Sequence, residues 1–297
     1  MVLPERPAPK KSNFGVMFIL LLVLPCAIFW YVRYFHASGR PQATAAAAQA
    51  PQAHVTGLSS AEITTLGSNV QAIIAQNPDV EIGVAVVDLK TGNRQSYGVA
   101  DSFEAASTAK LITAADFLHH VEDGNANLSD TVNGNSAQYE LQQMIEVSDD
   151  DAWAALNDTL GHADLATYAA SIGLVNYNVD ANTLPATDIA TLLQKLYAQQ
   201  LLNQANTALL LGYMAQANYA QYIGAVVPQN AQFYHKAGYL EDRVHDAGII
   251  DDGTHAVAIV IFTKNAGDDE NASPAQPTAI QQIAAAILKA YHITKIE

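Results

Sequence analysis

Apolar and polar positions alternate along this chain in three distinct ways. The first is an uninterrupted apolar run, Phe14 to Val32, 19 residues without a charge, with Arg6, Lys10 and Lys11 before it and Arg33 after it. From Ala37 to about Gly57 periodicity is lost in a stretch rich in Ala, Gln, Pro and Thr. Beyond Gly57, short segments switch between helical and strand spacing, as expected where one face of each element is buried.

Within that third region the pattern predicts a helix over Ser60 to Gln76 and a strand over Glu81 to Asp88. Lys90-Thr-Gly-Asn93 reads as a hairpin turn and Arg94 to Val99 as the partner strand. Leu111, Ile112, Ala115 and Leu118 recur at helical spacing, so Ser107 to Val121 reads as a buried helix stopped by Asp123-Gly124-Asn125. Residues 138–217 contain helical segments at Tyr139–Ile145, after Ser148, at Asp164–Ile172 and at Thr187–Gln199. Strands return at Gln232–Tyr239, Val244–Ile250 and His255–Thr263, and Thr278 to Tyr291 closes as a helix. Strands at both ends of a helical block must meet in one sheet. The fold class is therefore α/β (α+β), an antiparallel five-stranded sheet flanked by helices with an all-helical lobe inserted in sequence.

The apolar run is long enough to span a bilayer and longer than the core of a cleavable signal peptide. It predicts a cytoplasmic N-terminus at 1–13, a transmembrane anchor at 14–32, a flexible linker at 33–58 and one folded domain at 59–297. The basic residues ahead of the span place that domain on the outer side of a cell membrane, single-pass. A monomer is expected.

Charge sharpens this division. The net −15 combines net +4 over residues 1–40 with net −19 beyond, where only nine Lys or Arg face 28 acids. So acidic a surface repels phosphate backbones, and no basic stripe carries interleaved aromatics, so no nucleic-acid partner is expected. The single cysteine, Cys26, lies in the apolar run, which leaves the domain without disulfides or thiolate ligands. The histidines show no His-Glu-x-x-His or comparable spacing, so neither a metal nor a cofactor is expected.

Candidate chemistry begins at Ser107-Thr-Ala-Lys110. Three residues is nearly one helical turn, so hydroxyl and amine share a face, and a desolvated lysine can activate a serine. Alone the pattern is weak, since about one chance match is expected in a chain of this length, and Ser107 could serve as a helix cap. Ser148-Asp149-Asp150 at a helix start and Tyr234-His235-Lys236-Ala237-Gly238 on a late strand add two further elements. Two of the domain's nine basic residues thus fall on these motifs.

The ordered set Ser-x-x-Lys, Ser-Asp-x and Lys-x-Gly resembles the class A β-lactamase and penicillin-binding superfamily of active-site-serine hydrolases, over roughly residues 60–293. The resemblance implies that Ser107 is the acylated nucleophile, Lys110 the candidate base, Ser148 a proton shuttle and Lys236 an electrostatic partner of the substrate carboxylate. Backbone N–H groups of Ser107 and Tyr239 would form the oxyanion hole. Asp150, Ala237, Gly238 and Arg243 would line the substrate, a β-lactam or a cell-wall peptide of D-Ala-D-Ala type.

This sequence departs from the family pattern at three places. Asp150 stands where the family has asparagine, replacing a donor by an acceptor-only group that, near Lys110, would hold a proton on it. Ala237 lacks the threonine hydroxyl. Gly173 to Thr187, the omega-loop stretch, contains no glutamate to activate a deacylating water, and its only acid is Asp180. These departures leave open a catalytically degenerate domain of the same fold that binds a cell-wall peptide or a partner.

Overall fold

The computed structural model describes residues 57–267 and 271–294, and residues 54–297 form one compact unit. The predicted anchor, and the linker apart from its last two residues, lie outside the described residues. Among the described helices none is long and apolar enough to cross a membrane.

Helix α1 (Ser60–Ala75) opens with a capping box, in which Ser59 accepts from the Glu62 N–H and the Glu62 carboxylate accepts from the Ser59 N–H. It leads into the hairpin β1 (Val80–Asp88) and β2 (Arg94–Gly98). Asp88 Oδ1 accepts from the Lys90 and Thr91 N–H groups in the turn, and Gly92 supplies the positive φ of 80° that the turn needs. The short strand β3 (Phe103–Glu104) precedes a single 3-10 turn (Ala106–Ala109), which runs into α2 (Lys110–Glu122).

The helical lobe follows. It comprises the hairpin β4 (Thr131–Val132) and β5 (Asn135–Ser136), then α3 (Ala137–Glu146), α4 (Asp150–Leu160) and α5 (His162–Ser171). The strand β6 (Thr183–Leu184) pairs back onto β3, and α6 (Ala186–Tyr197) and α7 (Gln204–Met214) complete the lobe. The chain then returns to the sheet as β7 (Gln232–Leu240), β8 (Arg243–Asp251) and β9 (Ala256–Asn265), and ends on α8 (Ala275–Ala290).

The five-stranded sheet has the order β2-β1-β9-β8-β7 and is antiparallel throughout. Its central strands are apolar on both faces, because helices cover both. Val84, Val86, Ile259 and Ile261 join Leu66 and Val70 of α1 and Ile280, Ile283 and Ile287 of α8 in one cluster. Ala85, Val87, Val260 and Phe262 face the other way, into a cluster with Leu111 of α2 and Ile189 and Leu193 of α6. The two-residue alternation of a strand sends neighbouring side chains to these two clusters.

Two local features differ from the sequence expectation. The helix predicted from Ser107 begins as a 3-10 turn, with α-helix only from Lys110. Helix α7 has no counterpart in the predicted segments. Its run Ala-Leu-Leu-Leu-Gly-Tyr lacks a polar face, so no 3.6-residue stripe announces it. Its start is fixed by Asn203, which accepts from the Asn206 N–H, and by Glu122, which accepts from the Asn203 N–H and the Asn206 side-chain amide.

Candidate active site

Ser107 sits half-buried inside the 3-10 turn, and no side chain among the described residues hydrogen-bonds its hydroxyl. It does not cap the helix, since the turn has no side-chain cap at its start. Ala106, just before it, has a φ of 48°, a left-handed conformation unusual for alanine. Asn182 of the omega-loop stretch holds that conformation: its side-chain amide donates to the Ala106 carbonyl at 3.2 Å and its own carbonyl accepts from the Ala105 N–H at 2.7 Å. Strain of this kind persists only where surroundings over-determine it, and it aims a side chain.

One turn on, Lys110 is fully buried. Its ammonium donates to Asp150 Oδ1 at 2.5 Å, to the Ser148 carbonyl at 2.8 Å and toward the Ser148 hydroxyl at 3.3 Å. It also lies 5.3 Å from the centre of the Trp153 ring, whose indole N–H donates to Thr113 on α2 at 2.9 Å. Burial pulls the Lys110 ammonium below the ordinary lysine range, and Asp150, then Asp149, oppose that pull. Ser148 has a φ of 63°, left-handed like Ala106 and Asn182, while its neighbour Asp149 caps α4 by accepting from the Ala152 N–H.

The third motif lies on β7, an edge strand placed directly against the Ser107 turn. A Cβ at Gly238 would stand 3.0 Å from the Ala105 carbonyl oxygen and 3.2 Å from Ala106 Cβ, so only glycine lets strand and turn approach this closely. Lys236 is fully buried, its one hydrogen bond among the described residues going to the Ala237 carbonyl at 3.3 Å. Burial, and next the positive charge of Lys110, lower its pKa to about 7. Beneath the strand, buried Asp246 accepts from His235 Nδ1 at 2.9 Å and from the Ile223 N–H at 3.0 Å, and His235 Nε2 meets the Ala217 carbonyl at 3.2 Å. Asn218, in turn, donates to the Val147 carbonyl just ahead of Ser148 at 3.0 Å. Second and third motifs are thereby laced together through residues 217–223.

A comparison with family models matches residues 65–291 to the β-lactamase enzyme family, more than half of the chain. The chain belongs to that family. Solved structures with the same fold include PBP-A, at 23% identity and a TM-score of 0.72 over 77% of this chain and 97% of that one. A β-lactamase from Sphaerobacter thermophilus matches at 21% identity and 0.70 over 76% and 97%, and one from Burkholderia phymatum at 18% and 0.71 over 78% and 99%. A comparison with curated proteins finds no match.

Relative to the β-lactamase family pattern, the remaining predicted positions separate. Lys110, Ser148 and Asp150 are in direct contact, and Gly238 abuts the Ser107 turn. Ala237 is buried in the apolar cluster of the α1 and α8 face, the side of β7 opposite Lys236 and Gly238, so its methyl group packs in the core rather than beside Lys110. Tyr239, next along β7, is exposed. Arg243 is held by Glu104 and, at 2.7 Å, by Asp242. Asp180 points to solvent and pairs with His162 at 2.9 Å.

Trp153 and Asn182 carry more of the site than their sequence context suggested. Trp153 reads as core from its helical position, yet it is half-buried and presents its ring to Lys110. Asn182 is legible only as the asparagine near Asp180, and its buried Oδ1 meets no donor among the described residues. Helix spacing carries no sign of a contact made across 76 residues.

Proposed function

We propose that this protein is an active-site-serine hydrolase or acyltransferase that forms an acyl-enzyme at Ser107 with β-lactams or D-Ala-D-Ala-like peptides. Its tether would be the apolar segment Phe14–Val32, with the domain monomeric on the outer side of a cell membrane. The observation that carries the reading is the convergence of a serine in a strained turn, its hydroxyl unbonded among the described residues, with a buried lysine one turn away, a second serine on that lysine, and a glycine strand against the turn. Attack by Ser107 on an amide carbonyl puts negative charge on oxygen, for which the Ser107 and Tyr239 backbone N–H groups are the donors. Ser148 returns a proton to the leaving nitrogen. A PBP-A structure is described as an acyl-enzyme complex with penicillin G, which shows that this fold holds such an adduct in that protein.

Hydrolysis of the adduct needs a base near a water, and the omega-loop stretch offers only solvent-facing Asp180. A long-lived acyl-enzyme is therefore expected. The test is to incubate the protein with a fluorescent penicillin and follow adduct mass over time. A serine-linked adduct persisting for many minutes, and absent in Ser107→Ala, supports the reading, and release within seconds turns it toward a β-lactamase. The pairing of Asp150 with Lys110 favours a second reading, a binding domain without turnover. Absence of any adduct or serine-dependent hydrolysis, with retained binding of the peptide, would select it.

A further inference from the structure

Two lysines occupy this site, and their surroundings are unequal. Everything that touches Lys110 Nζ favours an ammonium: the Asp150 carboxylate at 2.5 Å, the Ser148 carbonyl at 2.8 Å, the Ser148 hydroxyl at 3.3 Å and the face of Trp153. A neutral amine there could keep its hydrogen bonds but would lose the attraction of the carboxylate and of the ring face for its charge. Lys236 Nζ, equally buried, has one hydrogen bond among the described residues, to the Ala237 carbonyl at 3.3 Å. The two carboxylates whose charge reaches it are committed elsewhere, Asp150 to Lys110, and Asp246, on the opposite face of the sheet, to His235 and the Ile223 N–H.

We infer that Asp150 inverts the division of labour between the two lysines, so that Lys110 is a fixed ammonium and Lys236 is the amine that takes the Ser107 proton. The inference rests on reading Ser107 as the nucleophile. Two ammonium ions in one dry site repel, and the proton leaves the one without a carboxylate. That burial and the Lys110 charge bring Lys236 to about 7 agrees with this, because a sizeable fraction is then amine near neutral pH. In the step itself the Ser107 O–H bond breaks, its proton passes to Lys236 Nζ, and Oγ bonds to the carbonyl carbon. The C–N bond then breaks, the leaving nitrogen takes the proton back, and Lys236 is again an amine. Asparagine at position 150 would remove the asymmetry.

The test uses the full-length chain labelled with carbon-13 at lysine Cε, titrated by NMR from pH 5 to 11, with Lys110→Arg and Lys236→Arg for assignment. Lys236 is expected to titrate near neutral pH and Lys110 at least about one pH unit higher. Asp150→Asn, at a side chain 83% exposed and so tolerant of change, should bring the Lys110 titration down toward that of Lys236. Lys110 titrating first in the unaltered chain, or a gap that Asp150→Asn does not narrow, overturns the inference. In parallel, the acylation rate with fluorescent penicillin should rise about tenfold per pH unit below neutrality and then level. Lys236→Arg should lose that rise together with roughly 100-fold in rate, whereas Lys110→Arg should slow acylation yet keep the rise. The opposite pattern also overturns it. No acylation at any pH in the unaltered chain would sink the Ser107 reading instead, and the NMR order would still decide between the lysines.

Discussion

The cleft of the three motifs and the omega-loop stretch beneath it are built to opposite ends. In the cleft Lys110 is buried on Asp150 and Lys236 is buried beside it, while beneath the strand buried Asp246 pairs with His235. In the omega-loop stretch the single acid faces solvent on His162, and the residue turned inward is Asn182, an amide. Such an arrangement supplies a nucleophile, proton carriers and a shaped turn for attack, but no base for a second attack by water. On the proposed reading, making an acyl-enzyme and breaking it depend on different parts of the chain, and groups suited to the first alone are gathered here.

The largest effect that would break this contrast is at Lys236. Replacement by Met should cut acylation by at least about 100-fold while stabilising the fold at pH 7 by a few kcal/mol, since it removes a buried, poorly paired cation. The folded pKa of about 7 lies below the ordinary lysine value of 10.5, so the cost of burying the charge is full below pH 7 and is relieved as pH rises between the two. Urea denaturation at several pH values should accordingly show stability of the unaltered chain rising across that window more than that of the variant.

Asn182→Ala comes next. Loss of the strap on the Ala106 carbonyl should let the strained turn relax and slow acylation roughly tenfold, with about 1 kcal/mol lost in denaturation. Gly238→Ala should act by a few-fold, because β7 must retreat by a few tenths of an ångström from Ala105 and Ala106. A rate unchanged by it would mean that strand and turn do not cooperate. Smallest of all, Asp180→Asn should leave adduct lifetime within error. A clearly longer lifetime, measured by mass spectrometry after removal of excess penicillin, would restore Asp180 as a deacylating base and erase the contrast between the two regions.

Much of this was legible in the chain. Strands buried on both sides read as continuous apolar runs, and the order of the three motifs located Ser107, Lys110, Ser148 and Lys236. What the sequence could not carry were contacts between remote segments. The hold of Asn182 on Ala106, the ring of Trp153 on Lys110, and the lacing of Ala217, Asn218 and Ile223 to the second and third motifs join residues far apart in sequence. Helix α7 escaped for a different reason, since its run Ala-Leu-Leu-Leu-Gly-Tyr puts apolar residues on the exposed face as well as the buried one and so erases the periodic signal.

By itself the sequence determined the elements, the sheet and which residues are candidates for the chemistry, because periodicity, turn chemistry and motif order are local properties of the chain. The protonation of those groups was decided only by the tertiary structure. Lys110 and Lys236 are the same residue type in similar burial, and only the fold sets Asp150 against one and leaves the other with a lone carbonyl. Coulomb energy depends on distances that no spacing in sequence specifies.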